Sequence, residues 1–82
     1  MDARQKQICQ QSEQLEAARI RFLETSRGRT AALAFAQQTR NSYRHAVLTR
    51  TAPAGEEIFR LRLIGSYRYL RRYIAAAQQP PL

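Results

Sequence analysis

An all-α fold follows from three features of this sequence. Its commonest residues include Ala, Gln, Arg, Leu and Glu, all good helix formers. Glycine and proline punctuation falls at Gly28, in TAPAG at 51–55 and at Pro80-Pro81. No alternating apolar run carries the Asn-Gly or Asp-Gly step that marks a hairpin. The spacing predicts one helical domain over 1–82, with helices over about 2–26, 30–50 and 55–78.

The first helix opens on Asp2, with Gln5 three residues on, a capping-box pattern. Its apolar side is thin: Ile8, Leu15, Ala18, Phe22 and Leu23. Gln5, Gln7, Gln10, Gln11 and Gln14 crowd its start. That stretch has little to bury and is expected to fray alone or to become ordered against a partner. Glu16 can reach Arg19, and Glu24 can reach Arg27, each at i+3.

The second helix gathers Ala32, Leu33, Phe35, Ala36, Tyr43, Ala46 and Val47 near one face, at helical spacing. Arg40 and Arg44 share a flank of it, and Asn41 and His45 fall on the outer side. The third begins at Glu56-Glu57, acids suited to a helix N-terminus, and Arg71 and Arg72 lie nearer its C-terminus. Glu56 and Arg60 form an i,i+4 pair in the favourable order. Pro80 is expected to stop the helix.

On a helical wheel the third helix carries one main stripe of Phe59, Leu63, Leu70, Ile74 and Ala77, bordered by Tyr67 and Tyr73. Arg68 and Arg72 point away from this stripe, Arg60 and Arg71 flank one side, and Arg62 and Tyr69 sit near the other. Ile58, Leu61 and Ile64 fall off the stripe, on the face expected to be wet. A helix apolar on more than one side is buried on more than one side. These three residues are therefore the expected protein–protein interface; the alternative is that the other two helices cover them.

SRGRT at 26–30 leaves two architectures open. Gly28 can end the first helix in a left-handed cap, which gives a small three-helix bundle. Alternatively the apolar stripe, which keeps phase across Gly28, belongs to one unbroken helix. That helix would fold back on a shorter one at TAPAG as a long helical hairpin. Either form is expected to oligomerise or to join a hetero-complex. An 82-residue chain buries only about 60% of the surface its unfolded form exposes.

The chain holds 14 basic and 6 acidic residues, a net charge of +8. Lys6 is the single lysine, and arginine supplies the rest. Arginine forms forked bonds to phosphate or carboxylate and stacks on aromatic faces. The positive field favours polyanionic or acidic partners. The lone cysteine, Cys9, cannot form an intramolecular disulfide and is expected to be a small buried or interface residue. A reducing, cytoplasmic setting is expected. MDARQKQICQQ lacks the apolar region of a signal peptide, and no run reaches the length of a membrane span.

The inventory of reactive groups argues against an enzyme. His45 and Cys9 are single and far apart in sequence, no Cys/His cluster has zinc spacing, and no glycine-rich loop offers a phosphate cradle. No cofactor, metal or small-molecule substrate is expected. The favoured reading is a basic, regulatory nucleic-acid-binding protein for DNA or RNA. Its contacts would be Arg40, Arg44, Arg62, Arg68, Tyr69, Arg71 and Arg72, with arginines on phosphates and Tyr69 stacked on a base. The alternative is a protein–protein interaction module (an adaptor, chaperone-like subunit or inhibitor), whose arginines meet an acidic partner. Membrane binding is the weakest reading, since the apolar stripe is more simply a core.

Overall fold

The structure, a computed structural model, describes residues 1–49 and 57–79, with backbone alone at 47–49. Three helices form: α1 over Ala3–Arg27, α2 over Arg29–Thr49 and α3 over Glu57–Ala77, with no strand among the described residues. Of the two architectures, the three-helix one is observed. TAPAG, the Glu56–Arg60 pair and the stop at Pro80 lie outside the described residues.

α1 starts where its first residues direct. The Asp2 carboxylate accepts from the Gln5 amide at 2.8 Å, and the Gln5 side chain accepts from the Asp2 N–H at 3.0 Å. Two otherwise orphaned donors are satisfied by this capping box.

α1 stops at Gly28, by a different device from the expected left-handed cap. Gly28 has φ 90° and ψ 165°, outside the left-handed helical region and in a region that only glycine occupies readily. Its N–H donates to the Glu24 carbonyl at 3.0 Å, and its own carbonyl accepts from Ala32 at 3.1 Å. One residue therefore ends α1 and begins α2. A Cβ built there meets nothing within 4 Å, so the constraint is conformational and not steric. Gly28→Ala should cost about 1–3 kcal/mol, whereas D-alanine at 28 should cost nothing. Urea denaturation of the recombinant and semisynthetic chains checks this.

The helix directions follow from which residues meet. Gln5 bonds Glu57, Ser12 bonds Arg62 and Ser66, and Tyr73 bonds Glu24. The numbers rise together, so α1 and α3 run parallel. From the Gly28 turn, Glu24 faces Arg29 and, farther along, Arg19 lies over Phe35. There the numbers diverge, so α2 runs back against α1.

The apolar core lies toward the Gly28 end. Ile20, Ala32, Ala36, Leu70 and Ile74 are buried together. Leu23, Leu33, Phe35, Tyr43, Tyr69 and Tyr73 pack around them. The face expected of α2 is turned inward at Ala32, Leu33, Phe35, Ala36, Tyr43 and Ala46, while the side chain of Val47 lies outside the described residues. At the other end, α1 and α3 meet on small and polar groups. Cys9 and Ser12 of α1 are buried, as are Leu61 and Gly65 of α3. The Ser12 hydroxyl lies 2.6 Å from the Arg62 carbonyl, to which it donates, and 2.8 Å from the Ser66 hydroxyl. Ser12 has one proton, so Ser66 donates to Ser12. The Cys9 thiol donates to the Leu61 carbonyl at 3.4 Å.

Candidate functional site

α1 is turned so that only part of its hydrophobic pattern faces inward: Leu23 packs against the core, but the larger part of the set does not. The residues it buries are Cys9, Ser12, Glu16 and Ile20. Leu15 and Phe22, in the apolar set read from sequence, are 73% and 70% exposed, and Ala18 is also exposed. Ile8 is half-buried. Ile8, Leu15 and Phe22 are spaced by seven, with Gln11, Ala18 and Thr25 interleaved, so one outward seam runs along the helix. The stripe spans about 21 Å at 1.5 Å per residue.

This seam borders two hollows between α1 and α3. One, of about 320 Å³, is lined by Ile8, Gln11, Ser12, Leu15 and Arg62. The other, of about 300 Å³, adds Arg4, Ile58 and Leu61 beside the same Ile8. Asp2, Gln5 and Glu57 close its far end. Both carboxylates there are engaged by Gln5: Asp2 through the cap and Glu57 by the Gln5 amide at 2.6 Å. Arg4 and Arg62 are exposed and have no ion-pair partner among the described residues.

The expected interface on α3 divides. Ile58 is 42% exposed and belongs to this groove. Ile64 is half-buried. Leu61 corrects the wheel: it is only 6% exposed, because α3 turns that edge toward α1. α3 is buried on more than one side, as its pattern predicted, but at Leu61 the cover comes from within the chain: one side of α3 meets α1 at Leu61 and Gly65, and Leu70 and Ile74 enter the shared core. Phe59 and Ala77, expected in the core, are exposed.

The expected arginine set is also redistributed. Arg68, Arg71 and Arg72 share an open face of α3 with Ala75. Arg71 lies over the Tyr67 ring at 5.8 Å. Arg72 is already paired to Glu13 at 2.9 Å. Arg62 faces the α1 groove instead. Tyr69 departs from the expected base-stacking role, because its ring packs on the core, 6.2 Å from that of Tyr73. Burial and the nearby Glu24 carboxylate raise its phenol pKa. Tyr73 is raised likewise by burial and Glu24, whose carboxylate accepts from its hydroxyl at 3.2 Å. On α2, Arg40 is half-buried and bonds Asn41 at 3.1 Å, while Arg44 is exposed.

Gly65, which sequence reading passed over, and Glu16, which it read only as an ion-pair partner, shape this region. Gly65 allows the backbones of α1 and α3 to touch. Glu16 was expected in a plain surface ion pair with Arg19. That pair exists at 3.6 Å, but Glu16 is only 3% exposed and its Oε1 has no partner. Burial raises its pKa above 4.5, against the opposing pull of Arg19. Glu24 pairs with Arg29 at 4.0 Å across the turn, in place of the expected Arg27.

Among the described residues no cluster of three metal-capable side chains occurs, and no helix is long and apolar enough to cross a membrane. Comparison with family models, curated proteins and solved structures gives no significant match, so the functional argument rests on the geometry above.

Proposed function

We propose that this chain is a small, non-enzymatic protein-interaction module that engages its partner through the outward apolar seam of α1. One observation carries the reading: Leu15 and Phe22 are large, more than two-thirds exposed, and aligned on one helix face. Scattered exposed apolar residues are ordinary, whereas an aligned row beside a groove marks an interaction site. The basic surface fits such a role by speeding encounter with an acidic partner.

Nucleic-acid binding is the second reading, supported by the open face of Arg68, Arg71 and Arg72. Photo-crosslinking separates the two. Benzoylphenylalanine placed at 15 or 22, and in separate variants at 68 or 71, is irradiated in the cells that make the protein. Protein adducts at 15 and 22 are the expected result. Nucleic-acid adducts at 68 and 71, with none at 15 or 22, favour the second reading. In vitro, random-sequence DNA and RNA should bind only weakly at low salt. A steep salt dependence lost on Arg68→Ala with Arg71→Ala would reverse the ranking.

A further inference from the structure

The α1 seam carries a knob and a hollow placed symmetrically about Leu15. Seven residues before Leu15, Ile8 borders two hollows left open between α1 and α3. Seven residues after it, Phe22 projects as a ring that is 70% exposed. Each lies about 10 Å from Leu15 along the axis, in opposite directions. Leu15 itself is 73% exposed. An isologous pair requires such symmetry, because residue i of one copy meets residue j of the other and the reverse.

We infer that the seam receives a second copy of this chain, antiparallel, with Leu15 on the twofold axis and Phe22 of each copy in the hollow beside Ile8 of the other. This inference rests on the interaction-module reading and names the partner of the seam. The hollow lined by Ile8, Ile58 and Leu61 measures about 300 Å³. An apolar cavity of roughly half that volume already admits benzene. An unrelated helix would have to supply a ring for the hollow and an opening for Phe22 separately. A second copy supplies both at once. A parallel pair would set Phe22 against Phe22 and leave the hollows empty.

The charges allow this pairing. Across the two hollows Asp2 and Glu57 balance Arg4 and Arg62, which leaves a site suited to a neutral ring. The interleaved seam positions, Gln11, Ala18 and Thr25, are uncharged. In the antiparallel register, residues equally far before and after Leu15 come level. Arg19 and Arg21 then come level with Gln11 and Cys9 of the other copy, and Arg4 with Ser26, so these arginines do not face one another. The net charge of +8 on each copy opposes association at long range, an effect that salt screens. The basic face of α3 is turned away from the seam. Its Arg72 pairs with Glu13, which lies about 200° round α1 from Leu15. That face stays open to an acidic partner.

Sedimentation equilibrium and crosslinking of the full chain test the inference. At about 0.3 M salt, where the repulsion is screened, the wild type should form dimers. Leu15→Asp, which sets two carboxylates together on the axis, should weaken them at least about tenfold and leave helicity unchanged. Benzoylphenylalanine at 22, irradiated in a mixture of isotopically light and heavy chains, should give mixed adducts to residues 4–12 of the other copy. A wild type strictly monomeric at about 1 mM would overturn the inference. So would a dimer untouched by Leu15→Asp, or adducts from 22 to 22, the mark of a parallel pair. If the purified chain is monomeric and positions 15 and 22 crosslink to a different protein in cells, the inference fails while the interaction-module reading stands. The absence of any protein adduct at 15 or 22 would sink both.

Discussion

Replacing Gly65 with alanine should destabilise the protein by about 3 kcal/mol, even though alanine is the better helix former by about 1 kcal/mol. A Cβ at 65 would lie 2.3 Å from the Cys9 carbonyl oxygen and 3.0 Å from both its carbonyl carbon and its Cα. All three are backbone atoms, so no rotamer change relieves the clash. α1 and α3 must move apart. That movement stretches the bonds from Ser12 to the Arg62 carbonyl and from Cys9 to the Leu61 carbonyl. Each is worth about 1 kcal/mol net. Overpacking adds about 1–3 kcal/mol, and the propensity gain offsets part of the sum. In urea, the midpoint should fall sharply at unchanged slope. If the paired ends of α1 and α3 come apart while the Ile20–Leu70 core holds, the slope should fall as well. A variant as stable as the wild type would show that the two backbones do not touch at Cys9.

That contact also explains how much of the molecule was legible in the sequence. The helices were, because their signals are local: the Asp2–Gln5 cap, Gly28, and the apolar repeat of α2. The inner face of α1 was not. A hydrophobic pattern locates a buried face only when burial is driven by apolar area. Near Cys9 and Gly65, α1 is seated by close backbone approach and by hydroxyl and thiol donors to α3 carbonyls. Small residues permit that approach, and their own hydrophobicity is low. The same geometry leaves Leu15 and Phe22 outside, although they are the larger apolar groups. Glycine within a helical run reads as a weak helix former, yet here Gly65 sets the distance between helices. For the candidate site, Ile58 and the row of Arg68, Arg71 and Arg72 were legible as surface features. The inward turn of Tyr69 and Leu61 was not, because it depends on where two neighbouring helices sit and not on periodicity within α3.

Glu16→Met should stabilise the protein by about 1–3 kcal/mol at neutral pH. Glu16 is buried beside the core, one carboxylate oxygen lacks any partner, and the other faces Arg19 only at 3.6 Å. Arg19 is itself 55% exposed, so water screens the attraction that would offset the cost of desolvating the acid. Without the carboxylate, Arg19 retains the Phe35 ring at 4.9 Å. Methionine fills a similar volume with no group to desolvate. The sign of the pH dependence follows from the raised pKa. Between 4.5 and that higher value, the folded chain binds more protons at this site than the unfolded chain does. The contribution of Glu16 to stability is therefore fully present below 4.5 and is lost as pH rises through the folded pKa. The advantage of Glu16→Met over wild type should accordingly be largest near pH 7 and shrink as pH falls toward 4.5. Glu16→Gln should follow the same course with a smaller gain, since its amide is neutral but still polar. Glu13→Gln, at an acid paired with Arg72 on the surface, should change stability by less than about 1 kcal/mol. Urea midpoints of the four proteins across this range decide the matter. A gain from Glu16→Met that stays constant with pH would mean that the carboxyl has the same pKa folded and unfolded, its charge being satisfied by water or by a partner other than Arg19.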